Sequence, residues 1–327
     1  MRSQTEWRDA VLKRREEIAA GVLRLDFAVP GALPAFDPGA HLMIRVMIDG
    51  KPAIRTYTSL PAAKGELSIA VKLHPKSRGG SAFVWGLKAG DPVRLTLPDN
   101  RFELSWRASE YLLIAGGIGI TPIYGMARAL QARAQPVRML YGAQNRDAMP
   151  FVDELEGLLG AALETYSADD AQFIDFEAEF ARLATDGEAY ICGPLGMLNA
   201  AKAAWARAKR PVSRLRYEVF GDSGKFAEES FQVEVLNLGI TVEVPPDRTM
   251  LAALREAGVD MISDCERGEC GLCAVGIVDT NAEIDHRDVF FSDEEKLESA
   301  HICACVSRFV GGKAIIDIGY RGEAKSR

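Results

Sequence analysis

The stretch DCERGECGLCAVG, Asp264–Gly276, holds three of the six cysteines of this 327-residue chain within nine residues. These cysteines follow the pattern C-x4-C-x2-C, at Cys265, Cys270 and Cys273. Two more follow after 29 and 31 intervening residues, at Cys303 and Cys305. This is the ligand spacing of plant-type [2Fe-2S] clusters, whereas structural zinc sites more often pair two C-x2-C knuckles. The spacing therefore predicts an iron–sulfur cluster, with zinc as the alternative.

The surroundings of these cysteines favour metal ligation over a disulfide. Gly268 and Gly271 allow the loop to fold tightly, so that backbone N–H groups can point at inorganic sulfides. The first residues lack the apolar core of a secretion signal, and no apolar run approaches the roughly 20 residues that span a bilayer. We therefore expect a reducing cytoplasm, where thiol buffers keep unliganded cysteine pairs reduced.

The charge distribution narrows the class of partner. Net charge is −7, and residues 231–327 hold 10 Lys/Arg against 18 Asp/Glu, so the excess acid lies in the cysteine-bearing third. Such a surface repels nucleic acid and can attract a basic protein, unless it is simply solvated. The four histidines are His41, His74, His286 and His301. They are scattered along the chain, so their spacing predicts neither a metal site nor a nucleophile pair.

The chain reads as three blocks with different hydrophobic patterns. Up to about Leu104, short alternating runs such as HLMIRVMI and ELSIAVKL are separated by Pro/Gly turns, which is typical of an antiparallel barrel. From about Tyr111 to Tyr217, buried strands, Gly-rich turns and helices alternate, which indicates a parallel doubly wound sheet. The segment GDSGKFAEES, residues 221–230, is small and polar like a linker. A hairpin pattern, a helix, the cysteine loop and a last strand follow it.

These blocks predict a multidomain fold. Residues 1–105 are expected to form an antiparallel β-barrel flavin domain, and residues 106–225 an α/β doubly wound nucleotide domain. Residues 231–327 form an α+β plant-type ferredoxin domain of β-grasp type. The assignment of the first block to a flavin depends on the resemblance described next.

The ordered blocks resemble the phthalate dioxygenase reductase and vanillate demethylase reductase family over nearly the whole chain. The resemblance is carried by the cysteine spacing, by DHRD at residues 285–288 and by CVSRFVGGKAIIDI from Cys305 onward. Matching the last stretch to the family's final strand places the fourth ligand at Cys305, whereas the plain ferredoxin count selects Cys303. The resemblance thus implies the ligand set Cys265, Cys270, Cys273 and Cys305.

The resemblance implies that the first block binds FMN. In RTYTSLP, Arg55 can meet a phosphate, Tyr57 can lie on the flavin ring and Thr58 can approach N5. The loop KSRGGSAF holds the FMN phosphate in the family, although alone it is an ordinary Gly-rich turn. No separate adenine-binding signature is found, so FMN is preferred to FAD. The predicted flavin contacts are Arg55, Thr56, Tyr57, Thr58, Arg78, Gly79, Gly80 and Ser81.

The middle block is predicted to bind the nicotinamide nucleotide. AGGIGITP ends a buried strand and opens a helix, so its amides can face a pyrophosphate, although it is not the strict GxGxxG fingerprint. CGP resembles the nicotinamide-side loop of the ferredoxin-reductase group, and Cys192 either lines the hydride path or packs a strand end. Phe220 is either a residue that NADH displaces from the flavin or a core side chain. The predicted contacts are Gly116, Gly117, Gly119, Thr121, Pro122, Cys192, Gly193, Pro194 and Phe220.

The resemblance implies an order of electron transfer. NADH is favoured over NADPH mainly by the resemblance, since Arg146 is a lone candidate for a 2′-phosphate contact and such an arginine is more often solvated or bound to a ribose or diphosphate. NADH would deliver hydride to the flavin, and the cluster would carry single electrons onward. Thr58, Cys192 and Phe220 are the candidates nearest the chemistry. The acceptor is a Rieske-type oxygenase, which would hold the organic substrate. The rivals are a redox-sensing or electron-carrier module without a dedicated oxygenase, and a zinc-stabilised scaffold; an absorption spectrum separates all three.

Overall fold

The computed structural model describes residues 6–48, 50–73, 79–100, 102–218, 226, 229–246, 248–264, 266, 268 and 270–319. The chain divides into two compact units, Met1–Glu218 and Val219–Arg327. Three predicted site residues lie outside the described ranges: Arg78, Phe220 and Cys265. Most of the predicted linker, residues 221–230, also lies outside them. The finer domain boundaries at residues 105 and 225 stay predictions.

The first unit begins with an antiparallel sheet of seven strands. They are β1 (Trp7–Ala19), β2 (Val22–Ala28), β3 (Ala40–Ile48), β4 (Lys51–Thr58), β5 (Glu66–Lys72), β6 (Pro92–Thr96) and β7 (Asp99–Asn100). The order is β4-β3-β6-β1-β2-β5, with β7 beside β3. A short helix, α1 (Gly80–Gly86), lies between β5 and β6 in the chain. The predicted antiparallel arrangement of the first block is confirmed.

The two ends of this sheet meet through one bridge. Leu60, just after β4, pairs with Ser68 of β5, and the Leu60 amide donates to the Ser68 carbonyl at 2.8 Å. The sheet therefore curls around an apolar interior, as the predicted barrel requires. Fully buried side chains from neighbouring strands fill that interior, including Leu12, Leu25, Phe27, Leu42 and Ile44.

The rest of the first unit is a parallel sheet with helices between its strands. Its strands are β8 (Tyr111–Gly116), β9 (Val137–Ala143), β10 (Leu163–Ser167), β11 (Glu188–Cys192) and β12 (Leu215–Glu218). Its helices are α2 (Ile120–Ala132), α3 (Val152–Leu159), α4 (Phe176–Arg182) and α5 (Leu195–Arg207). The strand order is β10-β9-β8-β11-β12: after β8 the chain adds β9 and β10 on one side, and then adds β11 and β12 on the other side. This order confirms the doubly wound prediction and puts the topological switch point between β8 and β11.

The second unit is an α+β fold around a mixed sheet. Its elements are β13 (Phe231–Val235), β14 (Ile240–Val244), α6 (Met250–Glu256), β15 (Ala274–Thr280), β16 (Glu283–Asp285), α7 (Asp293–Glu298), β17 (His301–Cys303), β18 (Arg308–Val310) and β19 (Lys313–Asp317). The order β14-β13-β19-β15-β17 contains the predicted hairpin and last strand, and β16 pairs with β18. Within the described ranges, no helix is long and apolar enough to cross a membrane.

Candidate cofactor sites

The predicted flavin contacts gather at β4 and the start of α1. Side chains alternate along a strand, so Arg55 and Tyr57 share one face of β4, while Thr56 and Thr58 share the other. A Cβ on Gly80 would lie 2.5 Å from Nε of Arg55, so only a glycine lets the guanidinium approach this turn. The structure therefore brings Arg55 beside the predicted phosphate loop, Gly79–Ser81.

A buried polar group, here called the seam network, joins the barrel to the parallel sheet. It consists of His41, Thr58, Thr121 and Glu218, none more than 4% exposed. His41 Nε2 lies 2.7 Å from Glu218 Oε1 and 3.4 Å from the Thr58 hydroxyl. The Thr121 hydroxyl lies 3.2 Å from that of Thr58. His41 from the barrel and Thr121 from helix α2 therefore fix the orientation of the Thr58 hydroxyl.

The two predicted nucleotide loops meet at the switch point. A Cβ on Gly119 would lie 2.2 Å from the Cys192 carbonyl oxygen, and one on Gly116 would lie 2.5 Å from Cδ of Pro194. Gly193 is equally close, with Gly116 Cα 3.0 Å from its ideal Cβ position. Thr121 and Pro122 are buried in the first turn of α2, which follows directly after Gly119. Because these loops follow β8 and β11, their amides line the crevice where doubly wound folds bind nucleotides.

Arg146, the lone candidate for a 2′-phosphate, is occupied by carboxylates. Its Nη1 lies 2.6 Å from Glu156, and its Nη2 lies 2.7 Å from Asp153. The hydrogen bond and charge of Glu156 raise the pKa of the Arg146 guanidinium, with Asp153 adding to the effect. These partners offset the positive charge that a 2′-phosphate would need.

A carboxylate lies instead at the edge where β9 and β10 end. Asp169 accepts a hydrogen bond from Asn145 Nδ2 at 2.9 Å and another from Gln144 Nε2. These two amide donors, Asn145 first, lower the pKa of Asp169. This edge of the sheet thus carries an ionised carboxylate held by two amide side chains.

Three described cysteines are buried together in the second unit. Cys273, Cys303 and Cys305 are 2%, 0% and 3% exposed, while Cys270 is partly exposed. Hydrogen bonds from Cys303 and then Cys305 lower the pKa of Cys273 to about 3. Contact with Cys273, together with burial, raises the pKa of the Cys303 thiol. The thiol of Cys273 therefore touches both candidates for the fourth ligand.

The backbone of the cysteine loop fits a tight cradle. Gly268 has φ 76° and Gly271 has φ 70°, a left-handed conformation that L side chains rarely adopt. A Cβ on Gly271 would lie 2.2 Å from the ring of Phe290, so no side chain fits there. Considering only described residues, no three His, Cys, Asp or Glu side chains form a metal site, and Cys265 lies outside that set. The soft thiol donors and the glycine turns nonetheless suit an iron–sulfur cluster.

Family profiles match three consecutive parts of the chain. The profile "Oxidoreductase FAD-binding domain" matches residues 9–104. The profile "Oxidoreductase NAD-binding domain" matches residues 113–203, and "2Fe-2S iron-sulfur cluster binding domain" matches residues 233–310. These matches confirm the order of the three predicted domains.

Full-length relatives decide the family. The phthalate 4,5-dioxygenase oxygenase reductase subunit of Pseudomonas putida is 34% identical over 318 residues, covering 93% of this chain and 94% of that protein. The chain belongs to the phthalate dioxygenase reductase and vanillate demethylase reductase family. The vanillate O-demethylase oxidoreductase of Pseudomonas sp. strain HR199 is 33% identical, covering 95% and 99%.

A solved structure agrees with this family assignment. The solved structure of phthalate dioxygenase reductase, described as a modular structure for electron transfer from pyridine nucleotides to [2Fe-2S], superposes with a TM-score of 0.76 at 30% identity. The match covers 95% of this chain and 98% of that one. This family member is therefore an NAD(P)H-dependent oxidoreductase with a flavin and a [2Fe-2S] cluster.

Sequence reasoning missed two features of these sites. His41 was grouped with scattered histidines, but the structure pairs it with Glu218 and puts it beside Thr58. The structure sets His41 opposite Thr58 on the paired strands β3 and β4, a register that the sequence alone does not reveal. Asp169 was missed because β10, the strand before it, has no fully buried residue to mark it.

We expect Gly119→Ala to weaken both the fold and nucleotide binding. The new methyl group must displace the Cys192 carbonyl, and backbone shifts of this kind cost about 1–3 kcal/mol. Denaturant unfolding and the KM for the nicotinamide nucleotide measure the two effects. Gly196→Ala on α5 is the matched control, since a Cβ there meets nothing within 4 Å. Equal behaviour of the two variants would show that the loop contact is unimportant.

Proposed function

We propose that this protein is the NADH-dependent reductase of a two-component Rieske-type oxygenase system. The carrying observation is that flavin, nicotinamide and [2Fe-2S] domains occur in one chain, in the order of a relative named as a dioxygenase reductase subunit. Two-electron and one-electron carriers in series suit an acceptor that takes electrons singly. The runner-up, an electron-carrier or redox-sensing module, leaves the nucleotide crevice without a purpose.

We propose FMN as the flavin, although the matching profile carries the name FAD-binding. Arg55 and the Gly79–Ser81 loop, with Arg78, would hold its single phosphate, and the closeness of Arg55 to Gly80 supports this. Bound FMN supplies a centre that accepts hydride and releases electrons one at a time. Tyr57 would support the ring, and Thr58, oriented by the seam network, would meet N5.

The chain's own residues orient the nucleotide. The amides of Gly116, Gly117 and Gly119 would face the pyrophosphate, while Cys192, Gly193 and Pro194 would border the nicotinamide. NADH is favoured over NADPH because Arg146 is held by two acids and Asp169 would repel a 2′-phosphate. Phe220, outside the described residues, would cover the flavin until NADH displaces it.

The ligands proposed for the cluster are Cys265, Cys270, Cys273 and Cys305. Cys305 lies in the turn after β17, whereas Cys303 lies within that strand, opposite Ala274. A turn residue can be directed at a cluster without breaking strand pairing, which supports Cys305. We place the protein in the cytoplasm, where reducing conditions keep such thiols available.

Electrons would leave through the ferredoxin domain to the oxygenase. The excess of Asp and Glu over residues 231–327 gives this domain a surface that suits a basic partner face. Exposed charges of this kind act through steering, which salt screens over about 10 Å at 0.1 M. Docking should therefore depend on ionic strength.

We expect Arg55→Ala to weaken flavin binding about tenfold or more, because a charge-assisted phosphate contact of about 1.5–3 kcal/mol is lost. Occupancy is read from the ratio of flavin absorbance to protein. Acid extraction and chromatography should identify the wild-type flavin as FMN. Arg94→Ala on β6 is the control, since that arginine is half exposed on another strand. Stoichiometric FAD in the wild-type extract would contradict the proposal.

We expect Cys305→Ser to abolish cluster assembly and Cys303→Ser to leave the cluster in place. Only the first change removes a proposed thiolate ligand. Iron and labile-sulfide content per protein distinguishes the variants, and flavin content serves as the internal control because the flavin binds in the other compact unit. The reverse pair of results would assign the fourth ligand to Cys303.

The proposed order of transfer is tested by removing the ferredoxin domain. A chain ending at Ser230 should keep NADH-to-ferricyanide activity, because ferricyanide can take electrons from the flavin, and should reduce cytochrome c poorly. The full-length protein should prefer NADH to NADPH. Added salt should slow its electron transfer to an oxygenase more than its reduction of ferricyanide. Equal loss of both activities on truncation would mean that the cluster is needed before the flavin reacts, against the proposed order.

A further inference from the structure

A buried carboxylate in the ferredoxin domain has no part in the function described so far. Asp288, the last residue of the DHRD stretch, is 0% exposed. A charge this deep is costly unless hydrogen bonds and opposite charges compensate it. Its partners show what it does in the fold.

The side chain of Asp288 is held by donors from both directions along the chain. The Ser307 hydroxyl donates to Oδ1 at 2.8 Å, and the amide of Phe291 donates to Oδ2 at 3.1 Å. The Arg287 amide donates to the same Ser307 hydroxyl at 3.0 Å, so this hydroxyl bridges two strands of chain. Lys296 Nζ lies 3.9 Å from Oδ2. The carboxylate thus ties the segment after β16 to the turn that contains Cys305, the proposed fourth ligand, two residues before Ser307.

The backbone on either side of Asp288 holds the cysteine loop. The amides of Val289 and Phe290 both donate to the Gly268 carbonyl, at 3.0 and 3.1 Å. A Cβ on Gly268 would lie 2.8 Å from Asp288 Cα and 2.6 Å from Cγ2 of Val306. Gly268 lies between the first two cysteines of the loop. Asp288 is therefore packed against both segments that supply the cysteines: the loop around Gly268 and the turn after β17.

The surroundings keep this carboxylate charged. Burial opposes ionisation, but His286, Lys296 and the donors from Phe291 and Ser307 outweigh it, so the pKa of Asp288 is lowered. Nδ1 of His286 lies 3.5 Å from Oδ1. A fixed negative charge in a low-dielectric interior disfavours the arrival of an electron nearby. Net charge near an iron–sulfur cluster is one of the terms that set its potential.

We propose that Asp288 is a positioning residue for the [2Fe-2S] cluster: it fastens the Gly268 turn to the Cys305 turn, and its buried charge lowers the cluster's reduction potential. The proposal rests on the cysteine ligands proposed above and is independent of which organic substrate the partner oxidises. Ser307 is the second member of this brace, because it links the carboxylate to the Cys305 turn. Together they let the domain hold an electron at a potential low enough to pass it on.

The charge part of the proposal is tested in the full-length protein with Asp288→Asn. Removal of the negative charge should raise the cluster's reduction potential, measured by redox titration with electron paramagnetic resonance. Asp279→Asn is the matched control, because it removes the same charge from an exposed position on β15 of the same domain, and its potential should equal that of the wild type. An Asp288→Asn potential equal to both would overturn the proposed tuning.

The brace is tested separately with Ser307→Ala, which leaves the carboxylate in place. Loss of one buried hydrogen bond to a charged group should speed iron release to a chelator about fivefold or more. Iron release at the wild-type rate would overturn the positioning role, even if Asp288→Asn fails to fold. NADH-to-ferricyanide activity should be unchanged in Ser307→Ala, so a result here leaves the proposed reductase function to its own test.

Discussion

The contact between His41 and Glu218 joins two sheets that share no strand. His41 lies on β3 of the antiparallel sheet, and Glu218 ends β12 of the parallel sheet. Both side chains are buried, so replacing either one with an apolar residue would leave the other as a buried polar group without this partner. The flavin and nucleotide crevices depend on this docking, because Thr58 and Thr121, one from each side, complete the same network. The orientation of the Thr58 hydroxyl, beside the proposed hydride-transfer position, therefore depends on how the two sheets of the first unit pack together.

The second unit solves a related problem within one domain. Its cysteines come from two segments that fold onto one another, and glycines at Gly268 and Gly271 permit that approach. A buried charge again links the two segments, because the Asp288 carboxylate accepts a hydrogen bond from the Ser307 hydroxyl at 2.8 Å. In both units, buried polar groups hold together segments that are distant in the chain: His41 with Glu218 in the first unit, and Asp288 with Ser307 in the second.

Local patterns in the sequence were sufficient for most of this organisation. The cysteine spacing, the glycine loop after β8 and the alternation of the barrel strands each lie within a few residues, so periodicity and spacing identify them. Strand β1 escaped because it is rich in charge and buries only Ala10 and Leu12. The pairing of His41 with Glu218 escaped because the two residues lie far apart in the chain, and burial of a histidine leaves no local signature. Asp169 escaped with β10, whose exposed edge position gives no apolar run.

The backbone contact between the loops after β8 and β11 also constrains how such proteins can be recombined. Gly119 leaves no room for a methyl group against Cys192, and Gly116 leaves none against Pro194. The conformation of each loop therefore depends on close contact with the other. A chimaera that takes one loop from a distant reductase would place it against a loop that it does not fit. The two loops should therefore be exchanged together. A change of cofactor preference that is engineered in one loop will depend on the sequence of the other.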